Sequence, residues 1–300
     1  MIVPHEAFHS NVEAIARTLG GHRAGSGWLC FCPAHPNENT PALSITDKSG
    51  TVLLHCHAGC SQAAVIDALK AKGLWSGHSD FTIDPVAVER ARVADEAERK
   101  RKIDAARTIW RGCGPITGTP AESYLASRGI TLPLPRSLRF NPGLHHPSGV
   151  VLPAMVAAVV DAGGNLTGVH RTYLAHDGSG KAAVVPNKAM LGPCSTGAVR
   201  LGDWQAGDLL LGEGIETTLS AMQLSGKPGW AALSTAGMKA INLPLAVRDV
   251  TLLVDMDASH AGEQAAEACA SRLTREGRAV RLAKPPAGCN DWNDAVVALS

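Results

Sequence analysis

The chain is short of tyrosine, of net charge and of long apolar runs, and each shortage removes a class of function. Tyr124 and Tyr173 are its two tyrosines. Covalent cleavage of a phosphodiester by a phenol would have to use one of them, and neither stands in a recognisable motif. The formal net charge is only +1, so this is no general polycation, and any hold on nucleic acid has to come from local patches. The longest apolar run, Val150–Val160, contains Pro153 and falls short of the roughly 18 residues that a membrane-spanning helix needs. It reads as a buried strand, and no membrane association is expected. Met1-Ile2-Val3-Pro4-His5-Glu6 offers neither a basic leader nor an apolar stretch with a cleavage site, so a cytoplasmic protein is expected. Gly178-Ser179-Gly180-Lys181-Ala182 lacks the Ser or Thr after the lysine and the first glycine of a phosphate loop. No ATP-driven motor follows from it.

What is present is a soluble composition, 45% apolar and 18% charged over 300 residues, enough for two or three domains of about 100–200 residues or fewer. Eight cysteines occur, four of them within residues 30–60. Without an export signal, such a cluster points to reduced thiols or metal ligands rather than disulfides. Cys32-Pro33-Ala34-His35 is followed after twenty residues by Cys56-His57-Ala58-Gly59-Cys60. Two spaced pairs of soft and borderline ligands separated by a hairpin match the tetrahedral demand of zinc, and Cys32, His35, Cys56 and Cys60 are the expected structural Zn²⁺ ligands. Cys30 shares a strand face with Cys32, and His55 or His57 can substitute if the second knuckle folds differently.

A second cluster lies about 150 residues on. Glu213-Gly214 follows the apolar strand near Leu209–Leu211, and Asp255-Met256-Asp257 ends the strand near Val250–Val254. Residues two apart on an extended chain project to one side. Converging carboxylates repel unless cations neutralise them, so Glu213, Asp255 and Asp257 are expected to hold Mg²⁺ or Mn²⁺ and to be catalytic. Asp291 and Asp294, beyond the last strand, are either further magnesium ligands or helix caps. Glu216 is expected to answer the helix dipole.

The reading of fold class is α/β, in four stretches. Residues 1–78 form a zinc-ribbon-like domain with helices near Glu6–Leu19 and Ser61–Lys72, the second capped by Ser61, and strands at Gly27–Phe31, Ala42–Thr46 and Thr51–Cys56. Residues 79–112 form a charged helical linker entered at Pro85, its basic run Arg99-Lys100-Arg101-Lys102 offset by neighbouring acids. Residues 113–205 open on a capping box at Thr119–Glu122 and continue as a small mixed sheet with strands at Val150–Val160, Leu166–Leu174 and Ala182–Val185. Residues 206–300 alternate strands (Leu209–Leu211, Ala231–Ser234, Val250–Val254, Ala279–Leu282) with helices near Ile215–Leu224, His260–Glu276 and Asp291–Leu299, a Rossmann-like, mostly parallel sheet. Its active site is expected at the carboxyl ends of the strands. Residues 113–205 carry seven Lys/Arg against four Asp/Glu, and residues 206–300 eight against eleven. A basic surface facing an acidic one suits a phosphate chain held between protein cations and bound metals.

The motifs carry a family resemblance. Cys-Pro-x-His, Pro41-Ala42-Leu43-Ser44-Ile45 and the His-Cys-x3-Cys hairpin resemble the CHC2-like zinc domain that opens bacterial and bacteriophage DNA primases, although that family more often has Cys-x2-Cys in its second knuckle. Glu-Gly followed by Asp-x-Asp resembles the Toprim module shared by primases, type IA and type II topoisomerases, some nucleases and a recombination mediator. Primases of the better-known kind carry an Asp four residues after the Glu, where this chain has Thr217. Thr119–Leu125 and Gly168–Leu174 resemble the segment before Toprim in primase-like proteins of phages and mobile elements.

The resemblance implies a DNA primase, a DNA-directed RNA polymerase whose zinc domain engages single-stranded DNA and whose core joins nucleoside triphosphates. Arg171, Lys181 and Lys188 are by analogy its contacts to nucleotide or template, and a replicative helicase in trans is the implied partner. The rival readings are a Toprim-type nuclease or topoisomerase-like enzyme, and a non-catalytic zinc/Toprim DNA-binding recombination mediator.

Overall fold

Alternating apolar positions in residues 27–56 build a sheet with one inward face. The structure is a computed structural model that describes residues 6–24, 27–35, 41–48, 51–75, 85–256 and 260–299. It divides into two compact units between Arg92 and Val93. In the first unit β1 (His22–Ala24), β2 (Gly27–Cys30), β3 (Leu43–Lys48) and β4 (Thr51–Cys56) form an antiparallel sheet in chain order. Cys30 pairs with Leu43 and Leu43 with Cys56, and all three side chains are buried with Ile45 and Leu54. Helices α1 (Glu6–Thr18) and α2 (Gln62–Ala71) supply Ile15, Ala16, Val65 and Leu69 to the same core. Ser61 caps α2, its Oγ accepting from the Ala64 amide at 3.2 Å.

The unit boundary falls within α3 (Pro85–Arg111). Along its exposed face Arg99, Arg101 and Lys102 pair with Glu96 and Glu98 one turn away, so the basic run is neutralised locally. Its last turns belong to the second unit: Ala106 is fully buried there, and Arg139 lies 4.2 Å over the Trp110 ring.

The second unit begins with α4 (Pro120–Ser127) and an antiparallel meander of β5 (Leu138–His145), β6 (Val151–Val160), β7 (Leu166–Tyr173) and β8 (Lys188–Leu191). Three expectations change here. Residues 182–185 are not a strand; the pairing partner of β7 is Lys188–Leu191. Pro186 has no N–H for a ladder, and Val185 is 92% exposed, so the chain bends before pairing. Strand β5, which the sequence pattern did not single out, pairs with β6 across a register shift between Asn141 and Leu144. The capping box at Thr119 forms in altered shape: Thr119 Oγ1 donates to the Ile116 carbonyl, and Glu122 Oε2 accepts from the Gly118 amide at 2.6 Å.

The second sheet has the order β13-β12-β10-β11-β9. β10 (Asp208–Gly212), β11 (Gly229–Ala231), β12 (Asp249–Leu253) and β13 (Ala279–Ala283) are parallel, and β9 (Val199–Arg200) is an antiparallel edge. Helices α5 (Ile215–Ser225), α6 (Thr235–Ala240), α7 (Ala261–Arg275) and α8 (Trp292–Leu299) connect or follow the strands. Leu209, Leu211, Val250 and Leu252 pack with Cys269 and Leu273 of α7 on one face, while Leu210 and Leu253 meet Ala221 of α5 on the other. Such two-sided burial requires helices on both faces. The expected strand at Ala231–Ser234 starts and stops two or more residues earlier, because Leu233 takes φ 71° and Ser234 caps α6 through the Gly237 amide.

Meander and parallel sheet share a core in which Leu125 of α4 and Met155 of β6 meet Ile215 and Leu219 of α5. Polar bonds fix the same seam: Gln223 accepts from the Thr131 and Leu132 amides and donates to Gly129 O, and Asn293 Nδ2 donates to Arg128 O and Ser220 Oγ. No helix among the described residues is long and apolar enough to cross a membrane.

Arg278, 6% exposed, donates to the carbonyls of Leu243, Pro244 and Val247 and so closes the loop before β12. Replacing it by Met leaves those carbonyls unsatisfied. Chemical denaturation should show a loss of about 2–4 kcal/mol, with unchanged metal content in the first unit. A loss below about 0.5 kcal/mol would show that water satisfies the loop instead.

Candidate functional site

Two turns bring the soft ligands of the first unit together. Cys32 and His35 lie on the turn after β2, and Cys56 and Cys60 flank the turn after β4. Their Sγ and ring-nitrogen atoms all lie within 4.8 Å of one another. His35 Nδ1 stands 3.1 Å from Cys60 Sγ and 3.8 Å from Cys56 Sγ. Ligands about 2.3 Å from a tetrahedral ion are about 3.8 Å apart, so the set fits zinc. The Cys-x3-Cys spacing is accommodated by Gly59 at φ 93° with its amide on Cys56 O, a conformation that costs glycine little. The alternatives fall away from the cluster. Cys30 Sγ donates to Leu43 O at 3.3 Å, and His57 Nε2 meets Ser44 Oγ at 2.6 Å beside the His55 ring. Burial pushes the Cys32 thiol up to about 12. Burial also opposes ionisation of Cys56, but amide hydrogen bonds from Cys60 and Ala58 outweigh it and lower that thiol. A bound cation would stabilise the thiolates as a set.

The acids of the second unit sit at the carboxyl edge of its parallel sheet. Leu211 of β10 is level with Leu252 of β12. Glu213 is two residues past the first, Asp255 three past the second, so both leave neighbouring strands at the same edge, where such sheets bind ligands. Backbone bonds brace each position: Leu233 N donates to Glu213 O at 2.8 Å, and Met256 N to Asn290 O at 2.6 Å. Helix α7 approaches so closely that a Cβ on Gly262 would lie 2.6 Å from Asp255 O. Both acids are half-buried. Asp257 lies outside the described residues. Among the described residues, Glu213 and Asp255 belong to no set of three or more His, Cys, Asp or Glu side chains at ligand spacing. Asp291 and Asp294 form a reciprocal cap at α8: Asp291 Oδ1 accepts from the Asp294 amide at 2.8 Å, and Asp294 Oδ2 from the Asn290 amide at 3.0 Å. The cap steadies Asn290, whose carbonyl holds the residue after Asp255.

Sequence reasoning gave Glu216 too small a part. Its side chain, in the first turn of α5, is buried and collects partners from three other segments. The Tyr124 hydroxyl of α4 donates to Oε1 at 2.6 Å, Lys181 Nζ stands 3.6 Å from Oε1, and Lys188 Nζ 3.3 Å from Oε2. Burial alone would raise its pKa, but Lys188, Lys181 and the Tyr124 hydrogen bond hold it at about 2. Glu216 is therefore a buried anion with two cationic neighbours. His170 on β7, 5% exposed, is held neutral at about 4 by burial and then by Lys188. Arg171 Nη2 donates to Met190 O at 3.3 Å along the β7–β8 ladder. The available sequence signal was the repeat of an acid three residues after Glu213, which puts two carboxylates on one strand–helix turn.

Both tyrosines are buried, at 2% and 0% exposure. Tyr124 serves Glu216, and the Tyr173 hydroxyl donates to His145 O at 2.9 Å. Burial, then Glu216, pushes the Tyr124 phenol above its ordinary range. Neither phenol is presented for attack on a phosphodiester.

Comparison with known proteins follows these divisions. Residues 208–299 match the family model described as the Toprim domain, and residues 100–201 match that of a domain of unknown function. No curated protein matches the chain. Among solved structures, the primase fragment of the bacteriophage T7 primase-helicase protein is similar at 18% identity and a TM-score of 0.38, over 59% of this chain and 65% of that one; this chain thus spans less than two thirds of the T7 fragment. The Aquifex aeolicus primase, with its zinc-binding and RNA polymerase domains, is similar at 17% identity and a TM-score of 0.43, over 96% and 79%. A DnaG primase catalytic domain bound to single-stranded DNA is similar at 15% identity and a TM-score of 0.40, over 68% and 79%. The chain is a mixed α/β protein with a zinc-ribbon-like Cys/His unit and a C-terminal Toprim domain, consistent with the zinc-finger/Toprim primase resemblance of its motifs.

Cobalt titration of the chelator-stripped protein should give one tetrahedral thiolate spectrum per chain, bleached by one equivalent of zinc. Cys60→Ser should weaken binding by more than the roughly 10–100-fold that loss of an outer-shell partner costs, while Cys30→Ser leaves the stoichiometry intact. Equal loss from both variants would displace Cys60 from the ligand set.

Proposed function

We propose that the chain is a DNA primase, a nucleotidyltransferase that joins ribonucleotides into short primers on single-stranded DNA. The observation that carries this reading is a Toprim domain whose Glu213 and Asp255 leave adjacent parallel strands at one edge, in the same chain as a four-ligand Cys/His unit.

Glu213 and Asp255, with Asp257, are the proposed ligands of Mg²⁺ or Mn²⁺. Bound there, the metal would lower the pKa of a primer 3′-hydroxyl and neutralise charge developing on the triphosphate and its pyrophosphate leaving group. The chain's own contribution is placement. The β10–α5 turn sets Glu213, Gly262 and Asn290 set the backbone of Asp255 and Met256, and the cations of the meander stand beside Glu216 in the same unit. Arg171, Lys181 and Lys188 are the proposed contacts to nucleotide or template. Cys32, His35, Cys56 and Cys60 are proposed to hold structural zinc, which would rigidify the hairpin that meets single-stranded template. A replicative helicase in trans is the proposed source of that template, and the cytoplasm the proposed setting.

The tyrosines count against a topoisomerase-like enzyme, since both phenols are buried donors. A recombination mediator would not require the acids, which gives a direct test. Incubation with single-stranded DNA, labelled nucleoside triphosphates and Mg²⁺ or Mn²⁺ should yield template-dependent oligonucleotides. Asp255→Asn should lower that yield by about 100-fold or more while single-stranded DNA binding persists. No oligonucleotide in either metal, with scission of the same DNA, would favour the nuclease; binding alone, indifferent to Asp255, would favour the mediator.

A further inference from the structure

The acids at the strand ends account for metal, but not for the buried carboxylate three residues after Glu213. Glu216 is 6% exposed, whereas the side chains of Lys181 and Lys188 are about a third exposed, at 33% and 37%. The carboxylate thus lies beneath the two ammonium groups. Each of its oxygens takes a different lysine, and Tyr124 occupies the remaining approach to Oε1. The lysines come from separate segments, Lys181 from the bridge to Leu174 and Lys188 from the start of β8. Like charges on independent segments would spread apart without a shared counter-ion.

The cluster carries more positive charge than Glu216 can neutralise. The groups facing it are Tyr124 and Arg128 from α4, His170 and Arg171 from β7, Lys181 and Lys188. That is four cations against one carboxylate, with His170 neutral. Several nitrogens there lack a partner among the described residues: the donors Arg128 Nε and Arg171 Nε, and the buried His170 Nδ1, are without hydrogen-bond partners. Surplus cations and unsatisfied nitrogens around a buried anion make a site for an incoming anion with several oxygens.

We propose that Glu216, seated by Tyr124, is a positioning residue that holds the ammonium groups of Lys181 and Lys188 side by side as the receptor for the triphosphate of the incoming nucleotide. The assignment of that triphosphate to a polymerisation substrate rests on the primase reading; the pairing of the lysines by Glu216 does not. A template phosphodiester offers the same phosphate chemistry singly, one charge per group. A triphosphate matches two adjacent cations better.

The pairing has a pH signature. Burial already lowers the Lys181 ammonium, and Glu216 opposes that shift. Removing the Glu216 charge takes away the opposition, so a lysine loses its proton at lower pH, and phosphate affinity disappears as pH rises through that lower value. Glu216→Gln keeps an acceptor for Tyr124 and removes only the charge. Calorimetry with inorganic tripolyphosphate and with ATP should show the alkaline loss of affinity moved down by about one pH unit or more in this variant, with near-normal affinity at pH about 6. In a Lys181→Met/Lys188→Met background, Glu216→Gln should change the pH dependence no further, since its effect passes through the lysines. Where the single variant melts below the assay temperature, Lys181→Met compared with Glu216→Gln/Lys181→Met asks the same question of Lys188 without the like-charge neighbour.

Affinity for a single-stranded oligonucleotide is the control arm. A pH shift seen there and absent with tripolyphosphate would overturn the proposal in favour of a template contact. An unshifted limb in Glu216→Gln, or a shift that persists in the double-methionine background, would overturn it outright. Because the readout is binding, it stays measurable if no primer is made. A wild-type protein that makes primers but shows no tripolyphosphate affinity would sink this inference and leave the primase reading standing.

Discussion

The arrangement of the second unit depends on keeping one charged carboxylate out of water. Removing an ion of that size from solvent costs several kcal/mol unless partners replace the lost hydration. For Glu216 the replacements come from α4, from the bridge after β7 and from β8. None of these is near it in the sequence, so the ion cluster forms only when meander and parallel sheet are seated together. The same seam is closed by apolar side chains, with Ile215 and Leu219 of α5 against Leu125 and Met155. Apolar contact supplies most of the attraction, and the ion cluster adds polar contacts between the same segments.

The two candidate metal centres divide along chemical lines. Thiolates and imidazole on tight turns suit a borderline-soft ion that needs a closed tetrahedron, and the turns after β2 and β4 bring all four donors within 4.8 Å. Carboxylates at strand ends suit a hard ion that keeps open positions for water and phosphate. Glu213 and Asp255 stand on separate strands and are braced by backbone bonds from β11's exit and from the loop before α8. The first arrangement is a fastener. The second is an open set of hard donors.

Much of this was legible in residue order. The Cys32/His35 and Cys56/Cys60 knuckles are spacing signals and came together, while Cys30 turned inward because strand periodicity puts it against Leu43. The parallel sheet followed from alternating apolar strands and helices between Asp208 and Leu299. Strand β5 escaped notice because Pro142 and Gly143 interrupt its alternation, and it pairs across a register shift at that place. Residues 182–185 carried strand propensity that Pro186 defeats. Asp291 and Asp294 carry the hydrogen bonds of a cap, a local geometry that three-residue spacing at a helix start favours, and a part for them in metal binding stays a proposal.

By itself the sequence determined what depends on near neighbours: the knuckle ligands, the helix cap at Ser61, the βα alternation and the acids that end its strands. Only the tertiary structure decided that Glu216 is the centre of an ion cluster rather than a dipole-facing residue, and that Tyr124 and the two lysines belong to it. The reason is range. Capping and strand alternation act over a few residues, whereas the charge state of a buried carboxylate is set by whichever distant segments replace its water, 92 residues away for Tyr124 and 28 for Lys188.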